Sequence, residues 1–311
     1  MADAALPERL IPYNAVLAML DPHEHDLPTP LADAGYEVVR VSPKVSTELG
    51  DQEIDILAGT PDRTSLLAIE CKSTASIQTP QARRYAALRW DDAIRDAEID
   101  LPVGTTYGEI HVLFAVTAEV AESAHERLEI NDVDDEFPVL SIGATEVKVL
   151  GVPTDPRLAE IEPATVALPW PRRLPLDEQS DSEEYVDHVA AEVVSVARDA
   201  AGTEPGGSTV PFEDLYRAVV PAYDVLADQL AGTVRRKVVA AGKAICQHAP
   251  KHFMLTTTQD DPPKQGIAIL RTPEALELQG RTQGWQQILR LLEEQAMEEE
   301  AQANLFDPQE E

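Results

Sequence analysis

Three ionisable residues interrupt two apolar runs: Asp55 within Ile54-Asp55-Ile56-Leu57-Ala58, and Glu70 and Lys72 at the end of Leu66-Leu67-Ala68-Ile69-Glu70-Cys71-Lys72. The runs are split by Pro61-Asp62-Arg63-Thr64-Ser65, which reads as a hairpin turn. Side chains two apart on a strand share a face, so Glu70 and Lys72 point together and Cys71 points away. An antiparallel pairing brings Asp55 across from them. Two carboxylates suit a hard divalent cation, Mg²⁺ or Mn²⁺, which takes oxygen ligands and keeps several waters. A lysine beside such an ion orients or deprotonates an attacking water. The chemistry is hydrolysis of a phosphodiester. A cross-strand ion pair on a solvated sheet face would leave the same letters, but the apolar run into Glu70 and the Gly50-x4-Asp55 lead favour a site.

The elements that must position these residues follow from pattern. Leu6 to Leu20 reads as a helix interrupted near Pro12, and Leu31 to Val41 as a helix end, Gly35 past its C-cap, then a strand. Gly50 to Ala58 reads as one strand and Leu66 to Lys72 as the next, placing Asp55 inside the first. Thr79 to Ile99 has helical spacing, with Ala82, Tyr85, Ala86, Leu88 and Ile94 as packing positions. Glu109 to Val116 is a buried strand, with His111 as a sheet residue. Thr117 to Leu128 is a helix with a Thr N-cap, and Val139 to Ile142 and Val147 to Leu150 are strands. The order αβββαβαβ predicts an α/β fold with a mixed central sheet flanked by helices.

Gly50-x4-Asp55 followed by Glu70-Cys71-Lys72 resembles the PD-(D/E)xK nuclease motif, of the restriction-endonuclease-like and Holliday-junction-resolvase-like kind. The resemblance covers about residues 8 to 150. It implies that Asp55, Glu70 and the carbonyl of Cys71 bind Mg²⁺ (or Mn²⁺) and that Lys72 is the catalytic lysine. The family tends to carry an acidic residue on the preceding helix, for which Glu8, Glu24 and Glu48 are candidates, Glu8 the favoured one. Gln81-Ala82-Arg83-Arg84-Tyr85 matches the Gln-x-x-x-Tyr helix motif of RecB-like members and implies that Gln81 positions water or phosphate. Arg83, Arg84 and Arg89 on that helix are candidate phosphate contacts; ion pairs with Asp91 and Asp92 are the alternative.

The net charge of −31, from 25 basic and 56 acidic residues, is unusual for a nucleic-acid enzyme. Only seven of the basic residues are lysines. Acid-rich, lysine-poor composition fits a protein working at high salt, where a Debye length of about 3 Å screens long-range repulsion. Two cysteines, Cys71 and Cys246, form no disulfide framework, and with no signal-peptide pattern and no run of eighteen apolar residues the expectation is a cytoplasmic chain with no membrane partner.

Beyond a catalytic domain at 1–150, residues 151–204 read as a linker or strap with Trp170 as an anchor, followed by an amphipathic helix from Ser180 to Ala201. Phe212 to Val219, Tyr223 to Ala231 and Thr233 to His248 read as helices, and Phe253 to Thr257 and Gly266 to Leu270 as strands. Three helices then a two-stranded wing, within 205–275, is similar to a winged-helix DNA-binding domain. Arg235, Arg236, Lys237 and Lys243 on the third helix are its candidate DNA contacts, and Gly232 to Arg271 carries a net charge of +5. Residues 276–311 read as a long helix with an acidic tail. Gln302-Ala303-Asn304-Leu305-Phe306 resembles a degenerate sliding-clamp-binding peptide. The expected function is a Mg²⁺-dependent DNA endonuclease, with a homodimer or two successive nicks needed for a double-strand break; a non-catalytic DNA-binding protein is the alternative.

Overall fold

The computed structural model describes residues 7–24, 27–130, 137–165, 170–200, 209–258 and 262–270. The chain divides into two units, one of Leu6–Pro175 with Asp224–Asp228, the other of Leu176–Tyr223 and the chain from Gln229 onward, together with Met1–Ala5.

In the first unit a 3₁₀ turn (Glu8–Leu10) leads into α1 (Ile11–Met19), then α2 (Pro30–Asp33), β1 (Glu37–Val41), β2 (Lys44–Thr47), β3 (Gly50–Glu53), β4 (Ile56–Gly59) and β5 (Ser65–Lys72). There follow α3 (Thr79–Ala86), α4 (Trp90–Asp96), β6 (Glu109–Thr117), α5 (Ala118–Ile130), β7 (Val139–Ile142), β8 (Glu146–Leu150), α6 (Pro156–Ala159) and β9 (Ala164–Thr165). Seven strands form one sheet in the order β1-β4-β5-β6-β7-β8-β9. Neighbours are antiparallel except β5 with β6 and β6 with β7, so the sheet is mixed and flanked by helices. β5 is buried along its whole length up to Cys71, as its near-continuous apolar run requires of a central strand.

Several elements depart from the sequence-based expectation. Pro12 does not interrupt α1; it sits in the first turn, where its missing N–H costs no helix bond. The expected strand from Gly50 to Ala58 is two strands. β3 pairs with β2 in a separate two-stranded sheet, while β4 joins the main sheet. Asp55 therefore lies in the bend between them rather than inside a strand. The expected helix over Thr79 to Ile99 is broken into α3 and α4, with Arg89 extended at the start of α4. Trp90 sets the break: its indole N–H donates to the Arg63 carbonyl at 2.8 Å, which fixes the start of α4 on the β4–β5 turn.

Residues 151–175 belong to this unit. β9 pairs with β8, Trp170 is buried, and Leu174 is pinned to α1 by Asn14. The Asn14 amide donates to the Leu174 carbonyl at 2.9 Å and accepts the Leu174 N–H at 2.8 Å, so this strap holds α1.

In the second unit come α7 (Ser182–Ala200), β10 (Thr209–Pro211), α8 (Phe212–Val219), a 3₁₀ turn (Tyr223–Val225), α9 (Asp228–His248), β11 (Phe253–Thr257) and β12 (Gln265–Ile269). A three-stranded antiparallel sheet has the order β10-β12-β11. The expected helix from Tyr223 to Ala231 is instead a 3₁₀ turn over 223–225 and, from Asp228, the first turn of α9; between them, in the stretch 224–228 that belongs to the first unit, Leu226 bridges Val41 and the Ala227 N–H donates to the Val41 carbonyl at 2.8 Å. The expected long helix, Arg271 and the 302–306 peptide lie outside the described residues.

At the Ser65 end of β5, opposite the Lys72 end, Asp155 is fully buried. It accepts from the Tyr36 hydroxyl, from Ser65 Oγ at 3.1 Å and from the Arg157 N–H at 2.9 Å, with His111 Nε2 at 3.8 Å. Burial opposes ionisation, but these donors, Tyr36 first, outweigh it and hold the carboxyl below its ordinary value. The unfolded chain, with an ordinary aspartate, takes up its proton first as pH falls. The contribution of Asp155 is therefore present above the ordinary aspartate range and lost as pH drops through its depressed folded value. In urea titrations from neutral pH down to about pH 3, Asp155→Asn should be less stable at neutrality and show a shallower loss than wild type. Parallel curves for the two proteins would contradict this.

Candidate active site

β4 begins at Ile56, opposite Ile69 of β5, so the next pair outward is Asp55 across from Glu70. Beyond that point β5 has lost its neighbour on the β4 side, and the Asp55 side chain takes the neighbour's place: Asp55 Oδ2 accepts the Cys71 N–H at 2.6 Å. The other oxygen, Oδ1, accepts the hydroxyl of Tyr13 from α1. Glu70 is 2 % exposed and points to the α3 side of the sheet, where Gln81 Nε2 donates to its Oε1 at 2.6 Å and the Tyr85 hydroxyl donates to its Oε2. Gln81 and Tyr85 are one helical turn apart on one face of α3. The Tyr85 hydroxyl also lies 3.3 Å from the Glu53 carbonyl, and its ring packs edge-on against Phe114 of β6 at 5.7 Å. Lys72 Nζ pairs with Glu70 Oε1 on the shared face and keeps a quarter of its side chain exposed.

The electrostatics follow from this crowding. Burial, and then the charge of Glu70, push the Asp55 carboxyl well above its ordinary value, against the donors Tyr13 and Cys71. The Tyr13 and Tyr85 phenols are pushed up by burial, and next by Asp55 and Glu70 respectively, so both remain donors. The Cys71 thiol, on the opposite face, is also pushed well up, by burial first. Burial alone would lower Lys72, but Glu70 outweighs it and holds the ammonium above its ordinary value. In this arrangement Lys72 stands as an ammonium beside Glu70, which suits the orienting role expected of it.

Asp55, Glu70, Lys72, Cys71 and Gln81 are thus brought together. The other candidates are placed elsewhere. Glu8 is exposed on the first 3₁₀ turn, Glu24 accepts from Arg173 at 3.2 Å, and Glu48 lies 3.7 Å from Arg89. α1 presents Tyr13 to Asp55 where an acid was expected. Arg83 is exposed, while Arg84 donates to Gln52 at 3.1 Å. On α9, Arg235 donates to the Tyr223 hydroxyl, and Arg236 is held within its own helix by Thr233 at 3.1 Å. Lys237 donates to the carbonyls of Glu178 and Ser180, at 2.8 and 2.5 Å, and Lys264 pairs with Glu213 at 2.8 Å. Lys243 is exposed. The basic surface read from charge count is therefore smaller than the count. One tyrosine in an apolar helix reads as core, so Tyr13 carries no signal in sequence; Tyr85 reads as a packing position, and the Gln-x-x-x-Tyr spacing is the signal for its second role.

The residues fit a hard divalent cation. Two carboxylates and one ammonium share a buried place, and paired carboxylate oxygens are what such a cation takes. Among the described residues no group of three or more His, Cys, Asp or Glu is gathered to hold a metal.

No protein-family model matches the chain, and no curated protein matches it. Among solved structures, the crystal structure of the protein of unknown function AF1548 is similar to it at 16% identity, covering 69% of this chain and 92% of that one, with a TM-score of 0.26. At that score the likeness carries no structural argument. Among the described residues no helix is long and apolar enough to cross a membrane.

The Tyr85 hydroxyl serves a buried carboxylate, so its loss is costly. Tyr85→Phe should lower stability by about 1.5–3 kcal/mol in urea denaturation, the range for hydrogen bonds to charged groups. A loss below about 0.5 kcal/mol would show that Glu70 does not depend on this donor.

Proposed function

We propose that the first unit is a metal-dependent endonuclease of the PD-(D/E)xK kind that hydrolyses DNA phosphodiesters. The observation that carries the reading is the convergence of Asp55, Glu70 and Lys72 at the open end of the central strand, with Asp55 bonded to the backbone between the other two. Asp55 and Glu70 would hold Mg²⁺ or Mn²⁺, with the Cys71 carbonyl as the third protein ligand that the family resemblance implies. When bound, the ion supplies Lewis-acid polarisation of the phosphate and a water of lowered pKa. The chain's own residues do the rest. Gln81 and Tyr85 fix the rotamer of Glu70, and Tyr13 fixes Asp55. Lys72, partly exposed beside Glu70, presents an ammonium to the scissile phosphate and offsets its developing charge.

The second unit we read as a winged-helix module, with α9 as the recognition helix and β11–β12 as the wing. Supporting this are the order of helices and strands and the exposure of Arg236 and Lys243 on α9. Lys237 also donates to the Glu178 and Ser180 carbonyls, just ahead of α7. One observation favours a non-catalytic DNA-binding protein instead: Glu70 Oε1 already accepts from both Lys72 and Gln81, as a self-contained cluster would.

Cleavage of supercoiled plasmid in high-salt buffer separates the two. Wild type should nick with Mg²⁺ or Mn²⁺ and not with EDTA. Asp55→Ala and Lys72→Ala should each lose activity by about 10²-fold or more while remaining folded. Nicking at wild-type rate by either variant contradicts the site. A gel shift without cleavage by any protein selects the binding reading.

A further inference from the structure

α9 has two apolar sides. Val234, Val238, Gly242 and Ile245 are buried, and a Cβ on Gly242 would come within 2.6 Å of the Phe212 ring, so this side packs on the core of the unit. Thr233, Ala240, Ala241 and Ala244 instead line a groove of about 320 Å³, bounded on its other side by Ser182 and Val186 of α7. Ala240 in its floor is exposed. Arg236 and Lys237 stand over the same groove, while Asp181 and Glu184 at the start of α7 accept each other's N–H at 2.9 Å. Along α9 the lining falls at i, i+3/i+4, i+7/i+8 and i+11, a stripe about 16 Å long.

The sequence beyond the described residues repeats that spacing. Trp285, Ile288, Leu289, Leu292 and Ala296 fall at i, i+3, i+4, i+7 and i+11, bulky where the α9 stripe is small. Glu293, Glu294 and Glu298 to Glu300 gather at the far end of this stretch. The Leu270 N–H donates to the His252 carbonyl at 2.8 Å and the His252 N–H to the Ala249 carbonyl at 3.0 Å, so the chain leaves β12 beside the C-terminal end of α9. Ala244 is only about 7.5 Å back along the helix from Ala249, a distance that residues 271–284 span with ease. Entered from that end, the groove takes the stretch antiparallel to α9. Trp285 then meets Ala244, Leu289 meets Ala240, and Leu292 and Glu293 come level with Arg236 and Lys237. The glutamates reach the N-terminal half of α9, where cations and the helix dipole both favour them.

We propose that the groove between α7 and α9 is the seat of residues 285–300 of this same chain, docked antiparallel to α9 with Leu289 on Ala240 and the glutamates against Arg236 and Lys237. The basic side of α9 at Arg236 is then covered by the chain's own acidic stretch rather than left open to other anions. This docking does not depend on the chemistry assigned to Asp55 and Glu70.

Disulfide formation in the full chain tests it, against a background in which Cys71 and Cys246 are buried. Ala240→Cys with Leu289→Cys should close within one chain under mild oxidation of dilute protein, because facing positions on packed helices come within disulfide reach where one residue is small. Ala240→Cys with Gln287→Cys, on the other side of the stretch, should not close. Equal closure of both pairs would show tethering alone and overturn the docking. A cross-link formed only between two chains would give the groove to a second copy and overturn it too, as would no cross-link in folded protein. Tryptophan emission gives an independent reading, since Trp90 and Trp170 are 7 % and 5 % exposed and acrylamide quenching reports chiefly on Trp285. Ala240→Arg, which puts bulk and charge at an exposed place in the groove floor, should shift the emission to the red and increase quenching with far-UV circular dichroism unchanged. Emission and quenching identical to wild type would overturn the docking.

Discussion

Two carboxylates about 5 Å apart repel by about 3 kcal/mol even at an effective dielectric constant of about 20, and the surroundings of Asp55 and Glu70 are built against that repulsion. Each oxygen of the pair meets at least one donor: Tyr13 and the Cys71 N–H on Asp55, Gln81, Lys72 and Tyr85 on Glu70. The donors are still insufficient, since the Asp55 carboxyl stays well above its ordinary value through burial and the charge of Glu70. A buried anion pair with one cation on a single member is a poor way to stabilise a fold. It is a good way to hold a dication, which is why the residual imbalance bears on function.

The architecture around the pair is explained by the same need. β5 must be central so that Glu70 is buried, and its end must be open so that Lys72 and Asp55 meet there; β4 starts only at Ile56, which provides the opening. α3 must lie against that end to bring Gln81 and Tyr85 within reach, and Tyr85 is wedged between Glu70 and Phe114. α1 must be fixed along its length for Tyr13 to reach Asp55. Its next residue, Asn14, is bonded to Leu174 of the strap, and Arg173 beside it reaches Asp21 at 2.7 Å. A segment that reads in sequence as connection thus holds a helix whose side chain holds a site aspartate.

The chemical core was legible because charged residues inside apolar runs are rare enough to stand out, and because alternation on a strand assigns Glu70 and Lys72 one face without further information. The main sheet was legible for the same reason: long apolar stretches such as Glu109–Thr117 admit few alternatives. What was not legible depends on partners distant in sequence. Gly50 to Ala58 divides because the Ile54 N–H donates to the Pro43 carbonyl and the Ser42 N–H to the Asp55 carbonyl, which no local pattern announces. Tyr223 to Ala231 is not one helix because β1 captures the backbone at Leu226 and Ala227, and α9 starts only at Asp228. Charge counting overstated the basic surface of 232–271, since it cannot see that Lys237 of α9 donates to two carbonyls and that Lys264, just ahead of β12, pairs with Glu213. Tyr13 was invisible for the converse reason: its letter is ordinary and only its neighbour is special.

The central claim is that the Asp55–Glu70 pair is a metal site, and anomalous diffraction from Mn²⁺-soaked crystals of the wild-type protein addresses it most directly. The account predicts an anomalous peak bounded by the Asp55 and Glu70 carboxylates, with Tyr13, Gln81 and Tyr85 still on their present partners. Well-ordered carboxylates with no peak between them, at a Mn²⁺ concentration that labels other acidic positions on the same molecule, would contradict it.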